Sequence, residues 1–335
     1  MRGAIAAGLV LAMIAFGAGV YELVGLVRSN QHTVRKPNEI SAPSLPGTIY
    51  IVQAGAIYRF KHGSFAAITG EGGWMQPSAA PNNQLVAVRR QGNYSDLYLL
   101  SSSGKIVAQL SHNASSRTVE ENHWTFYPRY SPDGRSLFYD FDPKDYYPSF
   151  RIDLAIFASP IGSGLGAVEW TTPNDYTGGD VQPVPLRDGG IVYTKYSIDD
   201  SFQVHSQIWI QRRAGSPGQA LTTLEGGCGS PAVSPDEKLI AMICSKNSNQ
   251  SAELDLATFD PSNLTIGSPA TVVSGRLVAS PAFSPDGKTV AFLAPDTPGG
   301  QFQLWTVGSS GPTSLKEITN NLGLDSTSAP VWLAG

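Results

Sequence analysis

Short apolar stretches recur along this chain about every fifty residues, each opened by a proline and interrupted by a polar turn. The pattern is sharpest near residue 281. Residues 279–283 form a first short strand, and Ser284-Pro285-Asp286-Gly287 forms a turn. In that turn proline fixes φ, aspartate accepts hydrogen bonds from nearby backbone N–H groups, and glycine tolerates positive φ. Residues 289–293 form a second strand. Residues 301–307 (QFQLWTV) alternate polar and apolar with period two, residues 308–312 turn the chain, and residues 314–319 supply a fourth strand. Four strands joined in sequence by turns predict a small antiparallel sheet.

The unit repeats. Pro128-Arg129-Tyr130-Ser131-Pro132-Asp133-Gly134 and Pro231-Ala232-Val233-Ser234-Pro235-Asp236-Glu237 match Pro281-Ala282-Phe283-Ser284-Pro285-Asp286-Gly287, with weaker copies at Pro77 and Pro183 and a truncated one at Pro330. The six prolines are separated by 51, 55, 48, 50 and 49 residues. Each unit closes on an apolar residue followed by Thr or Ser: Ile68-Thr69, Leu110-Ser111, Trp170-Thr171, Leu221-Thr222, Val273-Ser274 and Ile318-Thr319. Six four-stranded units predict an all-β, six-bladed β-propeller, because one blade cannot bury both of its faces and a closed ring can. The last unit has only its first strand, while residues 47–69 supply strands without an opening proline. The chain ends are therefore expected to share a blade, closing the ring and removing its sheet edges.

These repeats resemble the TolB-like family of six-bladed propellers, built from WD40-like repeats of the form Pro-x-aromatic-Ser-Pro-Asp-Gly-x-x-apolar-Ala-Phe. The resemblance runs from about Gly47 to the end. Two turns depart from it: Glu237 stands at the turn glycine of one, where positive φ costs about 1 kcal/mol, and Asn82-Asn83 stand in the turn of the unit at Pro77. TolB carries a further α/β domain before its propeller, and none is expected in the 46 residues ahead of Gly47. The resemblance implies a fold and a habit of binding proteins, with no inherited catalytic set.

Composition narrows the reading. Gly 35 and Pro 24 disfavour long helices, and 41% hydrophobic against 15% charged residues supplies a core and argues against disorder. A net charge of −4 disfavours nucleic acid as a partner. Residues 3–21 carry no charge over a length that approaches a bilayer core. Residues 1–28 are accordingly expected to be a transmembrane signal anchor or a cleaved signal peptide, and 29–46 a polar, proline-containing tether. The propeller, 47–335, is placed outside the cytoplasm, because large domains translocate largely regardless of flanking charge. It is read as membrane-anchored, or secreted if the amino terminus is cleaved, and as a monomer.

In such a blade the turns between strands one and two, and three and four, lie on one face of the disc. The loops between strands two and three, and the links between blades, lie on the other. The long segments 112–126, 140–150, 172–182 and 194–203 all fall on this second face. They carry Glu120, Glu121, His123, Trp124, Asp140, Asp142, Asp145, Tyr146, Tyr147, Asp175, Tyr176, Asp180, Asp199 and Asp200, against the bases Arg117, Lys144 and Lys195. Acidic, aromatic-rich loops on a rigid scaffold are a common form of binding surface, and solvated loops are the plain alternative. Asp140, Asp142 and Asp145 are three carboxylates within six residues, the start of a Ca²⁺ site, but the glycine and distal glutamate of an EF-hand are missing. No other cofactor is expected. His123 has no second histidine at a metal-binding spacing, which favours a structural or interfacial role. There is no Gly-x-Ser-x-Gly, His-Glu-x-x-His or phosphate-binding Gly-Lys-Ser/Thr motif. Cys228 and Cys244 flank the turn at Ser234 symmetrically, which predicts a cross-strand disulfide. The leading expectation is a non-catalytic platform for a protein or peptide of the cell envelope. The alternative is a metal-dependent, lactonase-like hydrolase with its site in the central channel.

Overall fold

The computed structural model describes residues 45–144, 152–161, 165, 168–172, 179–245, 252–311 and 314–334. The expected anchor, and all of the expected tether but its last two residues, lie outside them. Among the described residues no helix is long and apolar enough to cross a membrane.

The described chain forms six antiparallel sheets in a ring. Blade 1 combines β1 (Thr48–Gln53), β2 (Ala56–Lys61) and β3 (Ser64–Ala67) with the last strand, β25 (Val331–Leu333). Blade 2 is β4 (Trp74–Ala80), β5 (Gln84–Arg90), β6 (Ser95–Leu100) and β7 (Ile106–Gln109). Blade 3 is β8 (Thr125–Tyr130), β9 (Ser136–Phe141), β10 (Ala155–Pro160) and β11 (Val168–Glu169). Blade 4 is β12 (Asp180–Pro185), β13 (Ile191–Ile198), β14 (Val204–Gln211) and β15 (Gln219–Ala220). Blade 5 is β16 (Cys228–Val233), β17 (Leu239–Cys244), β18 (Glu253–Asp260) and β19 (Thr265–Ile266), with β20 (Ala270–Val273) also paired to β18. Blade 6 is β21 (Ala279–Phe283), β22 (Thr289–Pro295), β23 (Phe302–Gly308) and β24 (Lys316–Glu317).

The ends meet as the repeat predicts: Thr48, Ile49 and Tyr50 of β1 lie opposite Leu333, Trp332 and Val331 of β25. The Trp332 indole N–H also donates to the Pro46 carbonyl at 2.8 Å.

Packing explains why the second strand of each unit is apolar almost throughout rather than alternating. Alternate residues serve opposite faces, and in a ring both faces are covered. In β5, Leu85 and Ala87 pack toward blade 1, and Val86 and Val88 toward blade 3. Each junction between neighbouring blades holds one such cluster, from Phe283 and Phe292 against Leu254 to Ile49 and Phe60 against Leu304.

The closing Thr and Ser residues have a common task. Thr69, Ser111, Thr171, Thr222 and Thr319 each accept, through the side-chain oxygen, the N–H of Ile57, Leu97, Ile156, Ile208 and Leu304 on the third strand of their blades, at 2.9–3.0 Å. The hydroxyl supplies an acceptor where the short outer strand has run out.

The opening prolines mark a bulge in five of the six inner strands. The residue before proline is left-handed in five blades, Gln76, Tyr127, Gln182, Ser230 and Ser280, with φ from +47° to +61°. Each sits where the register to the second strand shifts. The added residue bends the strand and turns its N–H out of the ladder toward the neighbouring blade.

Cys228 lies directly opposite Cys244 and the two form a disulfide, with Cα atoms 4.0 Å apart.

Candidate functional site

The link between blades 2 and 3, residues 110–124, is a hydrogen-bonded loop on the second face. Buried Asn113 donates its side-chain amide to the Ser95 carbonyl at 2.6 Å, and its N–H reaches Asp96 Oδ1 at 2.8 Å. Asn122 Oδ1 accepts from Ser115 N at 2.7 Å, and Ser115 Oγ donates to Glu121 Oε2 at 2.8 Å. Val119–Glu121 is a single 3₁₀ turn that leaves Glu120 and Glu121 exposed. Hydrogen bonds from its own backbone and from Thr118 hold the Glu120 carboxyl below the usual range.

His123 and Trp124 have structural partners. The His123 ring stacks on Phe141 and its Nδ1 meets the Asp142 carbonyl at 2.8 Å. Trp124 stacks on Phe126 and lies under the Arg90 guanidinium. The loop walls an open groove of about 880 Å³, lined by His112, Asn113, Arg117, Glu120, Glu121, His123 and Lys144 among others.

Two acids expected on loops, Asp140 and Asp180, are in strands, and a third, Asp142, is on its loop but buried. Asp140 belongs to β9, opposite Phe126 and Ile156, and is fully buried. Asp142 is buried and ion-paired with Lys144 at 2.8 Å. Asp180 opens β12, buried and paired with Lys195 at 3.0 Å. The first half of the segment 194–203 is strand: β13 runs on to Ile198 and pairs with β14 from Val204 as a long hairpin, which leaves 199–203 as its tip. Asp199 organises that tip, accepting from the N–H groups of Ser201 and Gln203 and meeting His205 Nε2 at 2.8 Å. These bonds, led by the one from His205, lower its pKa. Asp200 is exposed beside it. Phe202, which the sequence reading passed over, is 85% exposed at the tip with φ +59°. Asp145, Tyr146, Tyr147, Asp175 and Tyr176 lie outside the described residues.

A second polar cluster lies at the axis, where blades 3 and 4 meet. Around the axis, four of the five bulge N–H groups are capped by a side chain of the preceding blade. Ser328 Oγ caps Gln76 N at 2.8 Å, Gln76 Oε1 caps Tyr127 N at 2.9 Å, and Asp140 Oδ2 caps Gln182 N at 3.1 Å. Ser230 N donates to both Gln182 Oε1 and Thr194 Oγ1. Burial pushes the Asp140 carboxyl well above the usual carboxylate range; the Gln182 N–H and the charge of Arg129 oppose this and Asp180 adds to it. The hydroxyls of Tyr127 and Tyr196 are also shifted up by burial, with the neighbouring Asp140 adding to both. Arg129, deep in the disc yet only half-buried, has its pKa lowered by desolvation.

Asp140 caps a backbone N–H and Asp142 holds Lys144, so the two carboxylates have separate tasks. Among the described residues no three His, Cys, Asp or Glu side chains are gathered as a metal set.

No protein-family model and no curated protein matches the chain. Solved structures do. A putative TolB from Agrobacterium tumefaciens superposes with a TM-score of 0.60 at 16% identity, over 85% of this chain and 92% of its own. TolB from Acinetobacter baumannii gives a TM-score of 0.64 at 16% identity, over 89% and 68%. The likeness is one of fold. A gluconolactonase from Xanthomonas campestris is also similar, with a TM-score of 0.53 at 15% identity over 87% and 90%. The same six-bladed frame thus serves proteins of unlike function.

Proposed function

We propose that this protein is a TolB-like, non-catalytic binding platform, anchored or exported through its amino-terminal segment, whose second face engages a protein or peptide of the cell envelope. The observation that carries the reading is the 880 Å³ groove at the link between blades 2 and 3, walled by a loop that its own hydrogen bonds hold in place. A loop ordered in advance loses little entropy on binding. The exposed acids of that face (Glu120, Glu121, Asp199 and Asp200) favour a partner with basic groups. Phe202, presented at a hairpin tip, offers an aromatic anchor of the kind that dominates interfaces. The uncharged run 3–21 and the Cys228–Cys244 disulfide both suit an oxidising compartment outside the cytoplasm.

The alternative, a metal-dependent hydrolase at the channel, draws on the fold likeness to a gluconolactonase and on the buried carboxylate of Asp140 at the axis.

The test is affinity capture from cell-envelope extract by the full-length protein and by an Arg117→Glu/Glu120→Lys variant. Both side chains are exposed, and the variant loses only the bonds local to the Glu120 carboxyl while keeping those of Asn113, Ser115, Glu121 and Asn122 that hold the loop. The platform reading expects a defined protein retained by the wild type and lost from the variant, with EDTA without effect. Capture indifferent to the variant, or an esterase or lactonase activity abolished by EDTA, contradicts it.

A further inference from the structure

Blade 3 departs from its sister blades at the axis. The residue after the opening proline is Ser78, Val184, Ala232, Ala282 or Val331 in five blades, and Arg129 in blade 3. The second-strand residue opposite the start of the bulge is Val88, Thr194, Ile243 or Leu293 in four blades, and Asp140 in blade 3.

Thr194 shows what the fold asks of that second position. Its Oγ1 caps Ser230 N of the next blade at 3.0 Å, as Asp140 Oδ2 caps Gln182 N at 3.1 Å. One neutral acceptor meets the structural need. The charge of Asp140 and its other oxygen are surplus to it, and Oδ1 is buried without a hydrogen-bond partner. Arg129 lies opposite Phe138, two residues before Asp140, and its half-buried guanidinium makes no hydrogen bond or ion pair among the described residues. An unpaired guanidinium and an orphaned carboxylate oxygen on one seam are costly in a folded interior unless something else meets them. The two hydroxyls of Tyr127 and Tyr196 border the same place, each close enough to feel the Asp140 charge.

We propose that the axial end of the seam between blades 3 and 4 binds a small carboxylate that carries a hydroxyl group. The guanidinium of Arg129 pairs with the ligand carboxylate, a match of planar donors to planar acceptors. Asp140 Oδ1 exchanges a hydrogen bond with the ligand hydroxyl, which can donate to an ionised carboxyl or accept from a protonated one. No covalent step is involved. The site is separate from the groove and stands independently of the platform reading.

Lactate, propionate and inorganic phosphate serve as probes, followed by NMR or calorimetric titration of the full-length protein. Propionate is lactate without the hydroxyl, and phosphate is an anion of a different shape. Two variants copy what other blades already carry: Arg129→Ala imitates Ala232 and Ala282, and Asp140→Thr imitates Thr194, so both should fold with little change in Tm. The expected result is saturable binding in the order lactate over propionate over phosphate. Arg129→Ala weakens lactate and propionate alike by about tenfold or more, as loss of a charged hydrogen bond implies. Asp140→Thr brings lactate down to the level of propionate. The Arg117→Glu/Glu120→Lys variant binds lactate as the wild type does, which separates failure of this site from failure of the groove. The proposal is overturned if the wild type gives no saturable response to lactate, if Arg129→Ala binds as the wild type does, or if phosphate binds as well as lactate. It is also overturned if Arg129→Ala unfolds the protein, since Arg129 would then be holding the seam itself.

Discussion

Ser131, Ser234 and Ser284 each do two things with one hydroxyl. Each donates to the aspartate two residues on, at 2.6–2.7 Å, and accepts the N–H of the residue five on, at 2.9–3.0 Å. The aspartate in turn accepts the N–H of Arg135, Lys238 or Lys288. The Ser-Pro-Asp-Gly motif is thus a closed hydrogen-bonded turn whose fourth residue has positive φ, +69° at Gly134 and +70° at Gly287. Glu237 adopts +57° at the same place, where its Oε1 accepts Arg187 N at 2.7 Å and offsets part of the strain. At Asp140 the same scale gives a pH effect. Its folded pKa is raised by burial, so between the ordinary aspartate pKa and that raised value the folded state holds a proton the unfolded state has lost. Stability therefore falls as pH rises through this window. Asp140→Asn retains an oxygen for Gln182 N and cannot ionise. In urea unfolding across pH 4 to 8, the variant should gain on the wild type as pH rises; a constant gap would show that Asp140 does not titrate there.

Among the elements, most strands were legible in advance because proline, turn and apolar run recur within each unit and need no distant information. Residues 279–283 and the alternating stretch from Phe302 onward fall where the pattern places them. The extension of β13 and β14 was hidden because it leaves the disc: Ser197 and His205 belong to no core cluster, so a paired hairpin there looks like a polar loop. Asp140 was misplaced for the opposite reason. A carboxylate between aromatic residues signals the end of a strand, and only the bulge of the next blade gives it a buried partner. Arg129 drew no notice, although lining up the repeats marks it as the one charged residue at its position. The disulfide was readable from symmetry about the turn. It closes a separation of 16 residues, for which loop entropy gives about 3 kcal/mol. A Cys228→Ala/Cys244→Ala variant should lose roughly that much in urea unfolding, and an unchanged midpoint would mean that the bridge adds nothing to blade 5.

For the whole molecule, closure is the decisive structural fact. Blade 1 is completed by β25 from the far end of the chain, and the clusters on both its sides depend on that strand through Val331 and Trp332. Trp332→Ala should therefore cost about 3–5 kcal/mol, the range for truncating a buried tryptophan. Trp209→Ala, at a half-buried side chain, should cost less. Equal effects in denaturant titration would show that the ring is not fastened at blade 1. Closure also fixes which loops share a face, putting the 880 Å³ groove and the Phe202 hairpin tip opposite the compact Ser-Pro-Asp-Gly turns. The most direct test of the platform is to place a photo-activated cross-linking residue at Arg117, Glu120 or Phe202 on one face and at Ser102 or Ser309 on the other, in the full-length protein in its own cell envelope. The account predicts one protein adduct shared by the first three positions and absent from the last two. Adducts formed equally from both faces, or from Ser102 and Ser309 alone, would contradict it.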